Sequence, residues 1–180
     1  MIKSLLRVLC LSGVVFATAA LTGCASPAEV SNMTAMPATN GKKFSQSISV
    51  EVKGGAETNA LSSSNVSDAD LKAAIEASIA NSGLFKTVVQ GKNGDYELTV
   101  TVTRVDKPLF GASFTVTMET AWSLVKLSDK SIAMRKVIYS AHTASMSDAF
   151  VGVTRLRLAV EGAVQNGIKQ GLEAIAKLEI

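Results

Sequence analysis

Tyr96-Glu97-Leu98-Thr99-Val100-Thr101-Val102-Thr103 decides how the rest of the chain is read. Apolar and polar residues alternate through it without a break, the two-residue period of a strand with one buried and one wet face. A helix through the same residues would scatter Leu98, Val100 and Val102 around its surface instead of gathering them on one side. The stretch is therefore a strand, and its second face carries threonine, a β-branched residue suited to a pleated surface.

Toward the C-terminus, Phe114, Val116 and Met118 continue the alternation as far as Trp122 and Leu124. Ser128-Asp129-Lys130 forms a turn, and a further strand runs from Ser131 to about Thr143. In that strand Ile132 and Met134 lie on one phase while Val137 and Tyr139 lie on the other, which predicts a bulge or burial on both faces. Arg155 to Leu178 reads as a long helix with Leu156, Val160, Val164, Ile168, Leu172 and Ile175 on one face. Toward the N-terminus, Leu71, Ala74, Ile75, Ser78 and Ile79 fall at helical spacing behind Ser67, Asp68 and Asp70, which suit a helix start. Gly83 stops that helix, and Leu84 and Phe85 turn back onto the core. Ile48, Val50 and Val52 alternate with polar neighbours in a first strand that ends at Gly54-Gly55.

The order β-α-β-β-β-α predicts an α+β two-layer sandwich. Its four-stranded, mostly antiparallel sheet is a three-strand meander plus a first strand joined through a helical crossover. Both helices cover one face, and the threonine-rich face stays wet. This single domain spans residues 47–180, about 130 residues, enough for one core. Residues 24–46 are rich in Ala, Ser, Thr, Asn, Met and Pro without a period, and read as a flexible tether. Coil statistics give such a segment a reach of about 25 Å. Met33 and Met36 are read as its filler, with docking onto the domain as the alternative.

The chain opens with Lys3 and Arg7, and Val8 to Leu21 carries no charge. A basic start followed by an apolar run is the pattern of an export signal. Ser12, Gly13 and Thr18 interrupt the run, which falls short of the roughly 20 apolar residues a spanning helix needs. At its end, Leu21-Thr22-Gly23-Cys24 resembles the lipobox of bacterial lipoprotein signal peptides. The resemblance implies a signal peptide of residues 1–23, cleavage before Cys24, and lipid on the Cys24 sulfur and new amino end. A thiolate is the nucleophile suited to take such a group. Each buried methylene adds about 0.8 kcal/mol of membrane affinity, so two or three acyl chains hold firmly. In that family the residue after the cysteine influences sorting. Ala25, where Asp would favour inner-membrane retention, implies an outer-membrane, periplasm-facing protein.

Removing residues 1–23 takes Lys3 and Arg7 and no acid, so the formal charge falls from +3 to +1. No Lys/Arg cluster marks a nucleic-acid surface, and no nucleic-acid partner is expected. Cys10 leaves with the signal and Cys24 is acylated, so no thiol remains for a disulfide or a metal. No cofactor is expected beyond that covalent lipid. The element order over residues 47–178 resembles small bacterial lipoproteins with a sheet backed by two helices, such as the lipopolysaccharide-assembly lipoprotein and auxiliary lipoproteins of lipid-transporting ABC systems. The Pro108-Leu109-Phe110-Gly111 loop and the Asp148-Ala149-Phe150-Val151-Gly152 segment resemble those of short lipoproteins with no established activity. Fold does not fix function.

His142 is the single histidine, but a triad also needs a positioned acid and a nucleophile, and nothing near Asp148 resembles a nucleophile elbow. No catalytic residue and no metal ligand set is assigned. Ala159, Ala163, Gly167, Gly171 and Ala174 make a small-residue strip, read as close packing of the helix or as a groove for a partner helix. Leu109, Phe110, Phe150 and Val151 are apolar residues on loops, where polar ones are the rule. They are either a plug at one end of the sandwich or a contact patch for a protein partner or acyl chain. The expectation is a non-enzymatic outer-membrane lipoprotein that binds an envelope protein partner. The alternatives are a lipid or glycolipid carrier and a hydrolase built on His142.

Overall fold

The structure, a computed structural model, describes residues 26–58 and 65–180. Cys24, the lipobox and the signal peptide lie outside the described residues. The elements are α1 (Val30–Met33), β1 (Phe44–Lys53), α2 (Asp68–Ser82), β2 (Phe85–Val88), β3 (Tyr96–Asp106), β4 (Phe114–Lys126), β5 (Ile132–Ala144) and α3 (Gly152–Ala176).

The α+β class and the helical crossover hold, but among the described residues the sheet has five strands in the order β2-β1-β3-β4-β5, and three helices accompany it. The added strand is Phe85–Val88, expected only to turn back onto the core. Four residues are too few to display an alternation. Once Gly83 closes α2 in the left-handed conformation (φ 62°), Phe85 pairs with Phe44 and Val88 with Ile48, parallel to β1. β1 also runs parallel to β3, while β3–β4 and β4–β5 are antiparallel. The sheet is thus evenly mixed rather than mostly antiparallel.

β4 keeps strict alternation, with Phe114, Val116, Met118, Thr120, Trp122 and Leu124 turned to the core. The buried Trp122 indole N–H donates to Thr120 Oγ1 at 2.9 Å, so the polar atom taken inside is satisfied. In β5 the irregularity sits at Ala133: Ile132 pairs with Val125 and Met134 with Leu124. That extra residue moves Ile132 onto the outer face with Val137 and Tyr139, not onto the phase of Met134. All three are exposed, so β5 is buried on one face only.

α2 and α3 both cover the inner face, α2 over β1 and α3 over β4 and β5. The Ser67 hydroxyl accepts the Asp70 amide N–H at 3.0 Å and donates to its carboxylate at 2.7 Å. That satisfies a free donor of the first turn. α3 explains its own glycines. A methyl on Gly171 would stand 2.6 Å from the Trp122 ring, one on Gly167 3.0 Å from Ser140 Oγ, and one on Gly162 inside the His142 ring. The small-residue strip is where the helix closes on the sheet; it is not an open groove.

The segment expected as a flexible tether packs against the domain from Ala28 onward. Ala28, Met33 and Ala35 are buried, Met33 completely, whereas Met36 is exposed. Glu161 of α3, itself buried, accepts the Glu29 amide at 2.8 Å and the Asn32 side-chain amide at 2.9 Å. Farther along, Ala38 N–H donates to Glu173, and Lys42 pairs with Glu179 at 2.9 Å. β1 then begins at Phe44, three residues ahead of the expected domain boundary. The segment has no period of its own because it lies across α3 as a strap, held by side chains far away in sequence.

Candidate functional site: an apolar crown at one end of the sandwich

β3 ends, β4 begins, β5 ends and α3 begins at the same end of the sheet, because antiparallel neighbours alternate direction. The loops carrying Leu109-Phe110 and Phe150-Val151 therefore meet there. Arg155, in the first turn of α3 and buried, joins them. One terminal nitrogen, Nη1, donates to the carbonyls of Ala149 at 2.9 Å and Phe150 at 3.1 Å. The other, Nη2, donates to the Gly111 carbonyl at 3.0 Å, and the guanidinium lies 4.8 Å from the Phe114 ring centre. A buried cation needs compensation. Here the backbone carbonyls and an aromatic face supply it in place of a carboxylate, and Arg155 Nε alone is left without a partner.

With the loops fixed, their side chains point outward. Leu109 is 92% exposed, Phe110 86%, Phe150 81% and Val151 57%. The plug reading of these four residues is therefore overturned: the loops touch through Arg155, but the apolar side chains are not inside. Val153 and Met146 extend the exposed apolar surface. Charged residues border it, among them the Arg104–Asp106 pair at 2.7 Å and Lys107.

Lys107 also marks where the N-terminal strap begins. Its ammonium donates to Asn65 Oδ1, and the Asn65 backbone carbonyl accepts the Ala28 N–H at 3.4 Å. Partial burial pulls the Lys107 ammonium below the usual lysine range. Next to Ala28, Glu29 pairs with Arg157 of α3 at 2.7 Å. The first buried residue of the strap thus stands beside the crown. Under the same end, between sheet and helices, lies a cavity of about 300 Å³ lined by Gly54, Asn65, Val105, Lys107, Met118 and Val164.

His142 is not part of any such grouping. Its ring rests on Gly162, and no hydrogen bond joins it to Asp148 among the described residues. Asp148 instead accepts the Ser145 amide at 2.7 Å and hydroxyl at 2.8 Å, which holds its carboxyl below the usual range. Among the described residues no group of three His, Cys, Asp or Glu side chains is placed to hold a metal, and no helix is long and apolar enough to cross a membrane.

The chain is similar in fold to protein XCC0632 of Xanthomonas campestris, a DUF330 protein. The TM-score is 0.62 at 15% identity, over 79% of this chain and 90% of that one. The hypothetical protein CT253 of Chlamydia trachomatis follows at TM-score 0.56 and 7% identity, over 73% and 96% of the two chains. A minor lipoprotein of Acinetobacter baumannii is more distant, at TM-score 0.44 and 14% identity over 76% and 96%. For the first two, at these identities, the likeness is one of fold. No protein-family model and no curated protein matches the chain.

Of the residues singled out in the sequence, Leu109, Phe110, Phe150 and Val151 are brought together and exposed. Cys24 lies outside the described residues. Sequence reasoning missed Arg155, which organises the crown, and Glu161, which holds the strap. In the sequence Arg155 marks only the start of a helix. The one available signal for Glu161 was an acid amid the buried-face positions Val160, Ala163 and Val164.

Proposed function

We propose that the chain is a lipoprotein of the outer membrane, held through lipid on Cys24 and facing the periplasm. On this reading its domain acts by binding rather than by catalysis and serves envelope assembly or maintenance. The observation that carries the binding reading is the crown: four apolar side chains held outward on two loops that a buried arginine fixes. Exposed apolar surface costs free energy unless something covers it, and a locked, outward arrangement is how a contact surface is prepared in advance.

Photo-crosslinking from position 110 in intact envelopes, followed by mass spectrometry, tests this. Adducts formed from position 110 and not from Tyr139 on the outer sheet face would support it. Equal, sparse labelling from both would overturn it. A hydrolytic activity lost in His142→Ala with the fold intact would overturn the non-enzymatic part.

The cavity beside Asn65 and Val164 favours a second reading, a lipid or glycolipid accessory, because its apolar wall opens next to the crown. At about 300 Å³ it is at the lower bound of ligand pockets, roughly 300–1,000 Å³. Lipid co-purifying with the protein and displaced in Val164→Trp would promote this reading over the first.

A further inference from the structure

We infer that the crown is a second membrane contact: Leu109, Phe110, Phe150 and Val151 enter the headgroup–acyl boundary of the same bilayer that holds the lipid on Cys24, so the domain stands on its crown. This deepens the proposed function and rests on its lipid-anchored reading.

The argument begins with where the chain enters the domain. A loose segment of residues 24–46 would let the domain turn freely about its anchor. The strap does not, since Ala28 is already buried and bonded to Asn65, whose side chain takes the ammonium of Lys107 at the foot of the Leu109-Phe110 loop. Ala28 is only four steps along the chain from Cys24, a reach of about 14 Å when fully extended. α3 has 25 residues, about 37 Å at helical rise, and leads away from the crown. Its far end, near Ala176, is not held to a bilayer that carries Cys24, whereas the crown end is.

What faces that bilayer has the chemistry of an interfacial contact. Two phenyl rings, a leucine and a valine project from loops, with the exposed Arg104–Asp106 pair on the adjoining strand to stay with the headgroups and water. Arg155 fixes the backbone of both loops, so the loops themselves need no further ordering when their side chains enter. A protein partner on the crown would need to fit into the short gap between domain and membrane. The bilayer is already there.

The test uses the full lipidated chain in vesicles of phosphatidylethanolamine and phosphatidylglycerol with brominated acyl chains. Phe110→Trp and Phe150→Trp report from the crown, Tyr139→Trp reports from the outer sheet face, and the buried Trp122 is a background common to all. Quenching at least twofold stronger at 110 and 150 than at 139 is expected. In the unsubstituted protein, slower amide hydrogen exchange at residues 109–111 on vesicle binding is expected. Protein that sediments with vesicles but shows equal quenching at the three positions, or unchanged exchange, overturns the docked crown and leaves it to a protein partner. Protein that never sediments with vesicles overturns the anchor itself.

Discussion

Nη2 of Arg155 donates to the carbonyl oxygen of Gly111 at 3.0 Å, spanning 44 residues of sequence to tie the β3–β4 loop to the start of α3. With its other terminal nitrogen on Ala149 and Phe150, this side chain is the only polar brace described between the two crown loops. Arg155→Met keeps much of the apolar stem and removes the brace. The expected loss is about 1.5–3 kcal/mol, the range for hydrogen bonds made by a charged group. Arg155→Lys should restore little of it, because an ammonium cannot reproduce the fork. Urea unfolding of the three proteins checks this, with amide exchange at residues 109–111 and 149–151 as the local readout.

Phe110→Ser/Phe150→Ser should leave the protein folded and within about 0.5 kcal/mol of the parent, because both rings are exposed. Thermal melts decide this. A fall of several degrees would mean that the rings are covered in solution.

Gly171→Ala sets helix propensity against packing. Alanine gains up to about 1 kcal/mol over glycine within a helix. The added methyl, however, would stand 2.6 Å from the indole of the buried Trp122. Overpacking costs about 1–3 kcal/mol, so the net change should be destabilising. Unfolding midpoints give the sign, and near-ultraviolet circular dichroism should show a changed Trp122 environment.

Glu161→Ala should release the strap. It removes the acceptor for the Glu29 amide and the Asn32 side chain and leaves Arg157 with Glu29 alone. A loss of about 1.5–3 kcal/mol is expected, the range for hydrogen bonds made to a charged group. Limited proteolysis should cut first between residues 28 and 36, ahead of any cut in the sheet. An unchanged digestion pattern would show that Met33 burial alone holds the strap.

Acid should weaken the fold through its hydrogen-bonded carboxylates. Asp95 accepts the Ser47 amide at 2.8 Å and its hydroxyl at 2.7 Å, which lowers its folded pKa, and Ser145 does the same for Asp148. A folded value below the unfolded one means the contribution is complete above the ordinary carboxylate pKa, about 3.9. It is lost as pH falls through the folded value. Urea midpoints should therefore be level from about pH 6 to 5 and drop below about pH 4. Asp95→Asn should flatten part of that drop.

The local periodicities of β3, β4, α2 and α3 were legible in the residues themselves, because each element buries one face and the alternation is written into its own sequence. The crown residues were legible too, as apolar side chains in loop positions. Tertiary structure alone decided the rest. β2 is a strand only because β1 offers it an edge, the strap is ordered only because Met33 and Glu161 meet across the fold, and Phe110 and Phe150 point outward because Arg155, not a phenyl ring, fills the end of the sandwich. Hydrophobic period is a property of a segment. A shared edge, a buried carboxylate and a bridging guanidinium are properties of two distant segments, and only folding brings those together.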